Sequence, residues 1–230
     1  VDPSNGIGLR LIADFYVGAF HNNPACWHSW LSYAKQLKHG KMRIGTACSG
    51  SDVVTKALEH LLQSLAAKDD KPAVVCEHIF SVENDLQKQR WIQRYISPTY
   101  LFTDLREFEG PVLKNPQNGS PLSPLALEVD VFIAGFSCKS ISRENNSRDE
   151  KCIEDGTGSS GETFGWTMSL IEKVQPPVVI LENVKAIHDK GKCQKTGKKM
   201  PRSNLDYVQE RLEQAGYSFT HSFVDTRHYL

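Results

Sequence analysis

With 230 residues, 40% of them apolar, the chain can bury one sizeable core without disulfide staples, and a charged fraction of 23% excludes a disordered polymer. Lys and Arg number 27, as do Asp and Glu, so there is no global basic field and any nucleic-acid contact must come from local patches. No apolar run approaches the roughly 20 residues of a membrane span, the N-terminus lacks a secretory h-region, and six Cys without a C-x-x-C pair argue for a reducing compartment and against a zinc ribbon.

The first 41 residues read as a helical preface, either packed on the main domain or separate from it. Phe15–Phe20 and Trp27–Leu37 carry apolar residues at helical spacing, and Asn22-Asn23-Pro24 breaks them. Arg43–Cys48 is a short strand running into the turn Ser49-Gly50-Ser51-Asp52. Val53–Ala67 then shows a helix stripe at 53, 54, 57, 58, 61, 62 and 65. Ala73–Val82 is a second strand, Asp85 caps a helix over 86–95, and Tyr100–Thr103 is a third strand ending at Asp104. Four of the eleven prolines fall in 110–128, which predicts an inserted loop. Val129–Ala134 is a fourth strand, and 139–161, polar and ending in glycines, reads as a long mobile loop. Thr163–Val174 is helical, Val178–Leu181 is a fifth strand, residues 203–215 form a helix closed by Gly216, and Tyr217–Val224 is a last strand.

Strands and helices alternate, and the strands are continuously apolar. That pattern predicts an α/β fold with a mostly parallel, Rossmann-like sheet covered by helices on both faces. Ligands on such sheets lie at the carboxyl ends of the strands. Conspicuous groups end five of them: Ser49-Gly50, Glu83, Asp104, Cys138 and Glu182. A small residue with Gly after the first strand suits close backbone approach to a nucleoside cofactor, Glu83 suits ribose hydroxyls and Asp104 an adenine amine; ordinary surface turns are the alternative. Cys138, after a buried strand and before the 139–161 loop, is placed either as a nucleophile or as a buried structural Cys. Glu182-Asn183 puts polar groups in need of partners at the same edge, and a nucleobase can supply them.

The order Ser49-Gly50, Glu83, Asp104, Gly135-Phe136-Ser137-Cys138, Glu182-Asn183-Val184 resembles that of the C5-cytosine DNA methyltransferases over about residues 42–230. The resemblance implies a class I S-adenosylmethionine-dependent methyltransferase fold, S-adenosylmethionine as cofactor, and DNA, or RNA in the tRNA-methylating branch, as partner. It also implies an intracellular and nuclear location. It makes Cys138 the thiolate that adds to C6 of a flipped cytosine, Glu182 the partner of N3 and the exocyclic amine, and Asn183 the holder of the Glu-bearing turn. It places Cys48, Ser49 and Gly50 on the methionine side, Glu83 at the ribose, and Asn84, Asp104 and Leu105 at the adenine. A catalytically inactive scaffold of the same fold is the alternative from another class.

Several positions depart from the family pattern. Ser137 stands where Pro is usual, Lys139 replaces Gln, Cys48 takes a position commonly aromatic, and Asn84 stands for a large apolar residue. The closing motifs and the target-recognition part are absent after Asp225–Leu230, so 42–230 reads as a partial catalytic domain. Lys185–Arg202, with seven Lys and Arg against one Asp, is either a phosphate-contacting loop or a solvated one. Cys26, His28 and Cys193 lack partners at metal spacing, so no metal site is expected.

Overall fold

A computed structural model describes residues 24–37, 40–69, 74–145, 153–193 and 196–225. The chain divides into two compact units, one of residues 1–104, 112–133 and 176–180, the other of 105–111, 134–175 and 181–230.

The first unit opens with α1, Pro24–Gln36. Pro24 is its first residue, where the missing N–H costs nothing and φ is already helical, so the predicted breaker is a helix start. Phe15–Phe20 lies outside the described residues. Then come β1, Lys41–Ala47, α2, Val53–Asp69, β2, Val75–Val82, α3, Leu86–Tyr95, and β3, Tyr100–Phe102. As predicted, Asp85 caps α3, its carboxylate accepting from the N–H groups of Gln87 and Lys88 at 2.9 and 3.0 Å.

With β6, Val131–Ala134, and β7, Val178–Leu181, these strands form a mostly parallel sheet of order β3-β2-β1-β6-β7. Tyr33 and Leu37 at the end of α1 join a core with Met42, Ile44, Val131 and the α2 residues Leu62 and Leu65, so the helical preface is packed. Phe102, Phe80 and Phe132 make a row of rings, Phe80 meeting Phe102 edge-on at 6.4 Å and stacking on Phe132 at 6.1 Å. Between β2 and β6 in the sheet lies β1, whose Gly45 faces the Phe80 ring; a Cβ there would sit 2.4 Å from Phe80 Cζ. The register jumps at that point. Ile44 pairs with His78 and Gly45 with Phe80, so Ile79 is an extra residue, a bulge.

The predicted insert is more structured than proline content suggests. β4, Leu113–Lys114, and β5, Pro121–Leu122, form an antiparallel hairpin, followed by a 3-10 turn over Pro124–Leu127 capped by Ser123. Asn115 and Asn118 each accept a backbone N–H two residues on, which builds the turn that Gly119 completes at φ +71°. β6 starts at Val131 rather than Val129, because Asp130 brackets Arg43: its N–H donates to the Arg43 carbonyl and its carboxylate accepts the Arg43 N–H at 2.6 Å.

In the second unit, α4 spans Gly158–Val174, five residues more than the sequence predicts. Gly161 packs so tightly that a Cβ would lie 3.0 Å from the Gly156 carbonyl carbon, so it serves close packing, while Gly156 and Gly158, φ +64° and +65°, make the turn that enters the helix. α5, Asn204–Gln214, has a capping box between Ser203 and Asp206 and closes at Gly216, φ +93°. Phe136, Phe164 and Tyr207 pack ring against ring in this unit.

Tyr217–Val224 is not a strand. Tyr217 N–H returns to the Leu212 carbonyl at the end of α5, and the following rings pack sideways instead of pairing along a ladder. His221 meets His188 at 5.5 Å, and Lys185 Nζ lies 4.8 Å from the Phe223 ring centre. The described residues contain no helix long and apolar enough to cross a membrane.

Candidate active site

In the first unit the chain leaves β1 through a tight turn. Cys48, Gly50 and Asp52 all take positive φ, 52°, 60° and 56°, and the Asp52 N–H donates to the Ser49 carbonyl at 2.9 Å. Cys48 N–H donates to the Val82 carbonyl at 2.9 Å, tying the turn to the end of β2. Glu83, 5% exposed, completes the tie: Oε2 accepts the Gly50 N–H and Oε1 the Asp85 N–H, both at 2.9 Å. Each carboxylate oxygen thus carries one backbone hydrogen bond and keeps a lone pair for a hydroxyl. The space above Gly50 is open, with no atom within 4 Å of where a Cβ would stand. A fixed carboxylate beside bare backbone is a donor and acceptor set that fits a ribose and its attached chain.

The other predicted cofactor residues are placed unevenly. Asn84 is exposed and Asp104 half-buried, both in the first unit. Leu105 is buried at the start of a 3-10 turn over Leu105–Phe108 and belongs to the second unit. Burial, with the Glu83 carboxylate beside it, pushes the Cys48 thiol up to about 11, so at neutral pH it is a neutral thiol and not a nucleophile.

Sequence reasoning missed what lies under this turn. Asp52 is fully buried, and its Oδ2 accepts from Ser81 Oγ at 2.6 Å and Thr46 Oγ1 at 3.0 Å. His78 Nε2 stands 3.7 Å from the same oxygen and 3.0 Å from the Phe80 carbonyl, and its Nδ1 is 3.3 Å from Thr55 Oγ1. Burial raises the Asp52 pKa and lowers that of His78, each shift opposed by the partner's charge. The sequence signal is weak: Thr46, His78 and Ser81 are polar residues in strands that also carry Lys41, Arg43 and Glu77.

The second unit holds Cys138, Glu182 and Asn183, and it brings their two turns together. Glu182 N–H donates to the Ala134 carbonyl at 2.9 Å, and Asn183 Nδ2 donates to the Phe136 carbonyl at 2.9 Å. Asn183 Oδ1 meanwhile accepts the Val184 N–H at 2.9 Å. The Asn183 amide therefore braces its own turn and grips the backbone two residues before Cys138. Cys138 is a half-buried free thiol and the Glu182 side chain is exposed.

The described part of the predicted mobile loop is laced. The Cys138 carbonyl accepts from Ile141 and Ser142 N–H at 3.0 and 2.8 Å, and Asn145 Nδ2 donates to the Lys139 carbonyl at 2.7 Å. A bidentate Arg143–Asp189 pair, 3.0 and 2.6 Å, adds an ionic tie between the Cys138 loop and the segment after Glu182. The basic stretch also has a fold of its own: Lys192 and Lys199 bridge antiparallel, with Gly197 at φ +65° in the turn. No group of three or more His, Cys, Asp or Glu side chains that could hold a metal ion occurs among the described residues.

These turns can be set beside known proteins. The chain is 36% identical over 150 residues to the DNA (cytosine-5-)-methyltransferase DMT5 of Cryptococcus neoformans, covering 65% of this chain and 6% of that protein. It is 27% identical over 189 residues to the DNA (cytosine-5-)-methyltransferase DMT5 of Verticillium dahliae, covering 63% of this chain and 8% of that one. The chain thus spans less than a tenth of the length of either relative. Residues 63–229 match the family described as C-5 cytosine-specific DNA methylase. Glu83, Asp104, Cys138, Glu182 and Asn183 fall inside the matched stretch, while Cys48, Ser49 and Gly50 precede it. With most of its length matched, the chain belongs to the C-5 cytosine-specific DNA methylase family.

Proposed function

We propose that this chain supplies the cofactor turn and the nucleophile of a DNA cytosine-5 methyltransferase acting on nuclear DNA. The observation that carries the reading is the pair of hydrogen bonds joining the Ala134–Cys138 segment to the Glu182–Val184 turn. They set a thiol and a carboxylate on adjacent backbone segments, the arrangement needed to attack one ring position while holding another.

Cytosine C5 is too weak a nucleophile for direct methylation, and the base must leave the duplex stack to be reached. Cys138 Sγ, as thiolate, forms a bond to C6 of the flipped base, and the electron pair of the C5–C6 double bond moves to C5. Glu182 hydrogen-bonds N3 and the exocyclic amine and favours the protonated ring that accepts this addition. S-adenosylmethionine, when bound, would supply an electrophilic sulfonium methyl group for C5, with S-adenosylhomocysteine as the leaving thioether. Transfer of the C5 proton to water then lets the C5–H electron pair re-form the C5–C6 double bond as the C6–Sγ bond breaks and Cys138 leaves as thiolate. Glu83, fixed by the Gly50 N–H, would hold the cofactor's ribose, and the open backbone at Gly50 would take the methionine side.

Cys138→Ser in the full-length protein is expected to abolish methyl transfer and covalent trapping on 5-fluorocytosine DNA, with cofactor affinity within about threefold of wild type. Wild-type protein that neither transfers methyl nor traps would remove the reading.

A further inference from the structure

The Cys138 backbone is held from both sides by hydroxyls of one helix. On the N-terminal side, Ser137 N–H donates to Thr163 Oγ1 at 3.1 Å. On the C-terminal side, Ser140 N–H donates to Ser160 Oγ at 3.1 Å, Ser160 N–H reaches Ser140 Oγ at 3.4 Å, and the Ser140 and Ser159 hydroxyls lie 3.2 Å apart. All three helix residues belong to the first two turns of α4, a stretch the sequence assigns to loop up to residue 161.

We propose that Thr163 is a positioning residue for the nucleophile, fixing the approach direction of Cys138 by accepting the Ser137 N–H. The inference rests on the function proposed above. Thr163 Oγ1 donates its one proton to the Ser159 carbonyl at 2.6 Å, which orients the hydroxyl and leaves its lone pairs to the Ser137 N–H. That geometry makes it a one-way acceptor. The helix is itself fixed: Phe164, the next residue, is 1% exposed and meets the Phe136 ring at 5.2 Å, tilted by 52°, and Thr167 Oγ1 donates to the Thr163 carbonyl at 2.7 Å. Thr163 thus transfers the rigidity of a packed helix to the residue before the thiol. Losing it removes the tie at the residue next to the thiol, and the nearest ties left to a neighbouring segment are the Asn183 grip on the Phe136 carbonyl and the Ser140 contacts, each two residues from Cys138. Misplacing a reacting group by about 1 Å costs on the order of 10²-fold in rate.

The test uses the full-length protein with Thr163→Val, which keeps shape and removes the acceptor, and Thr163→Ser, which keeps the hydroxyl. The valine variant is expected to trap 5-fluorocytosine DNA and turn over about 10- to 100-fold more slowly, with the KM for S-adenosylmethionine unchanged and with faster hydrogen exchange at the Ser137 amide. The serine variant is expected within about threefold of wild type in all four. Should the valine variant not fold, Thr163→Ala is compared with Thr163→Ser in the same way. Equal trapping rates for wild type and the hydroxyl-free variant, or a serine variant as slow as the valine one, would overturn the positioning role. Absence of any adduct with wild type would instead sink the proposed function itself.

Discussion

Glu83 does two jobs with one carboxylate. It braces the Cys48–Asp52 turn through Gly50 and starts the next helix through Asp85, while nearly all of it is out of water. The simple expectation that Glu83→Ala would weaken cofactor binding and leave the fold untouched is therefore too narrow. Removing the side chain strands two backbone N–H groups, each worth about 1–3 kcal/mol when buried without a partner. Glu83→Ala is expected to weaken S-adenosylmethionine about 10- to 100-fold by calorimetry, as charged hydrogen bonds of about 1.5–3 kcal/mol are lost, and to lower the urea midpoint as well. A weakened affinity with an unchanged midpoint would mean that Glu83 does not brace the turn. Glu83 and Cys138 were legible in the sequence because an acid or a thiol ending an apolar run stands out against its neighbours. Asp52 and Thr163 were not, because their partners lie 29 and 26 residues away and only the folded chain brings them within hydrogen-bond reach.

At the scale of elements, periodicity located the interior of almost every strand and helix, and local chemistry decided the ends. Pro24 opened a helix it was expected to break, Gly158 and Gly161 lay inside one, and Asp130 shortened β6 by substituting a side chain for a ladder partner. Tyr217–Val224 is not a strand for a different reason: its rings contact Lys185 and His188 instead of pairing along a ladder. Gly45 shows how a single position constrains a sheet. The Phe80 ring occupies the place of its side chain, so Gly45→Ala is an overpacking change expected to cost about 1–3 kcal/mol, read as a lower urea midpoint at constant m-value. Phe80→Leu in the same chain should return part of the loss. If Gly45→Ala alone leaves the midpoint unmoved, the ring is free to shift and the row of phenylalanines is loosely packed.

Across the whole molecule, 27 positive and 27 negative side chains cancel, yet the stretch after Glu182 concentrates cations on a hairpin where Lys198 and Lys199 are exposed. On the proposed function these residues meet phosphates and contribute affinity without reading sequence. Replacing both with Ala should flatten the slope of log affinity against log salt by about 1.8, since each phosphate contact contributes about 0.9. An unchanged slope would assign the hairpin to another surface. The family could be named from five strand ends because chemistry sits where parallel strands stop; how each end is braced could not, because bracing depends on distant pairs. The extra residue at Ile79 has a consequence for how such a chain can vary. Side chains alternate faces along a strand, so this bulge sets the parity by which Ser81, Val82 and Glu83 face their partners. Substitutions along β2 can accumulate one at a time, but losing one residue before Phe80 would turn Glu83 away from Gly50 in a single step. Relatives that keep this turn must inherit the length of the strand more strictly than its letters.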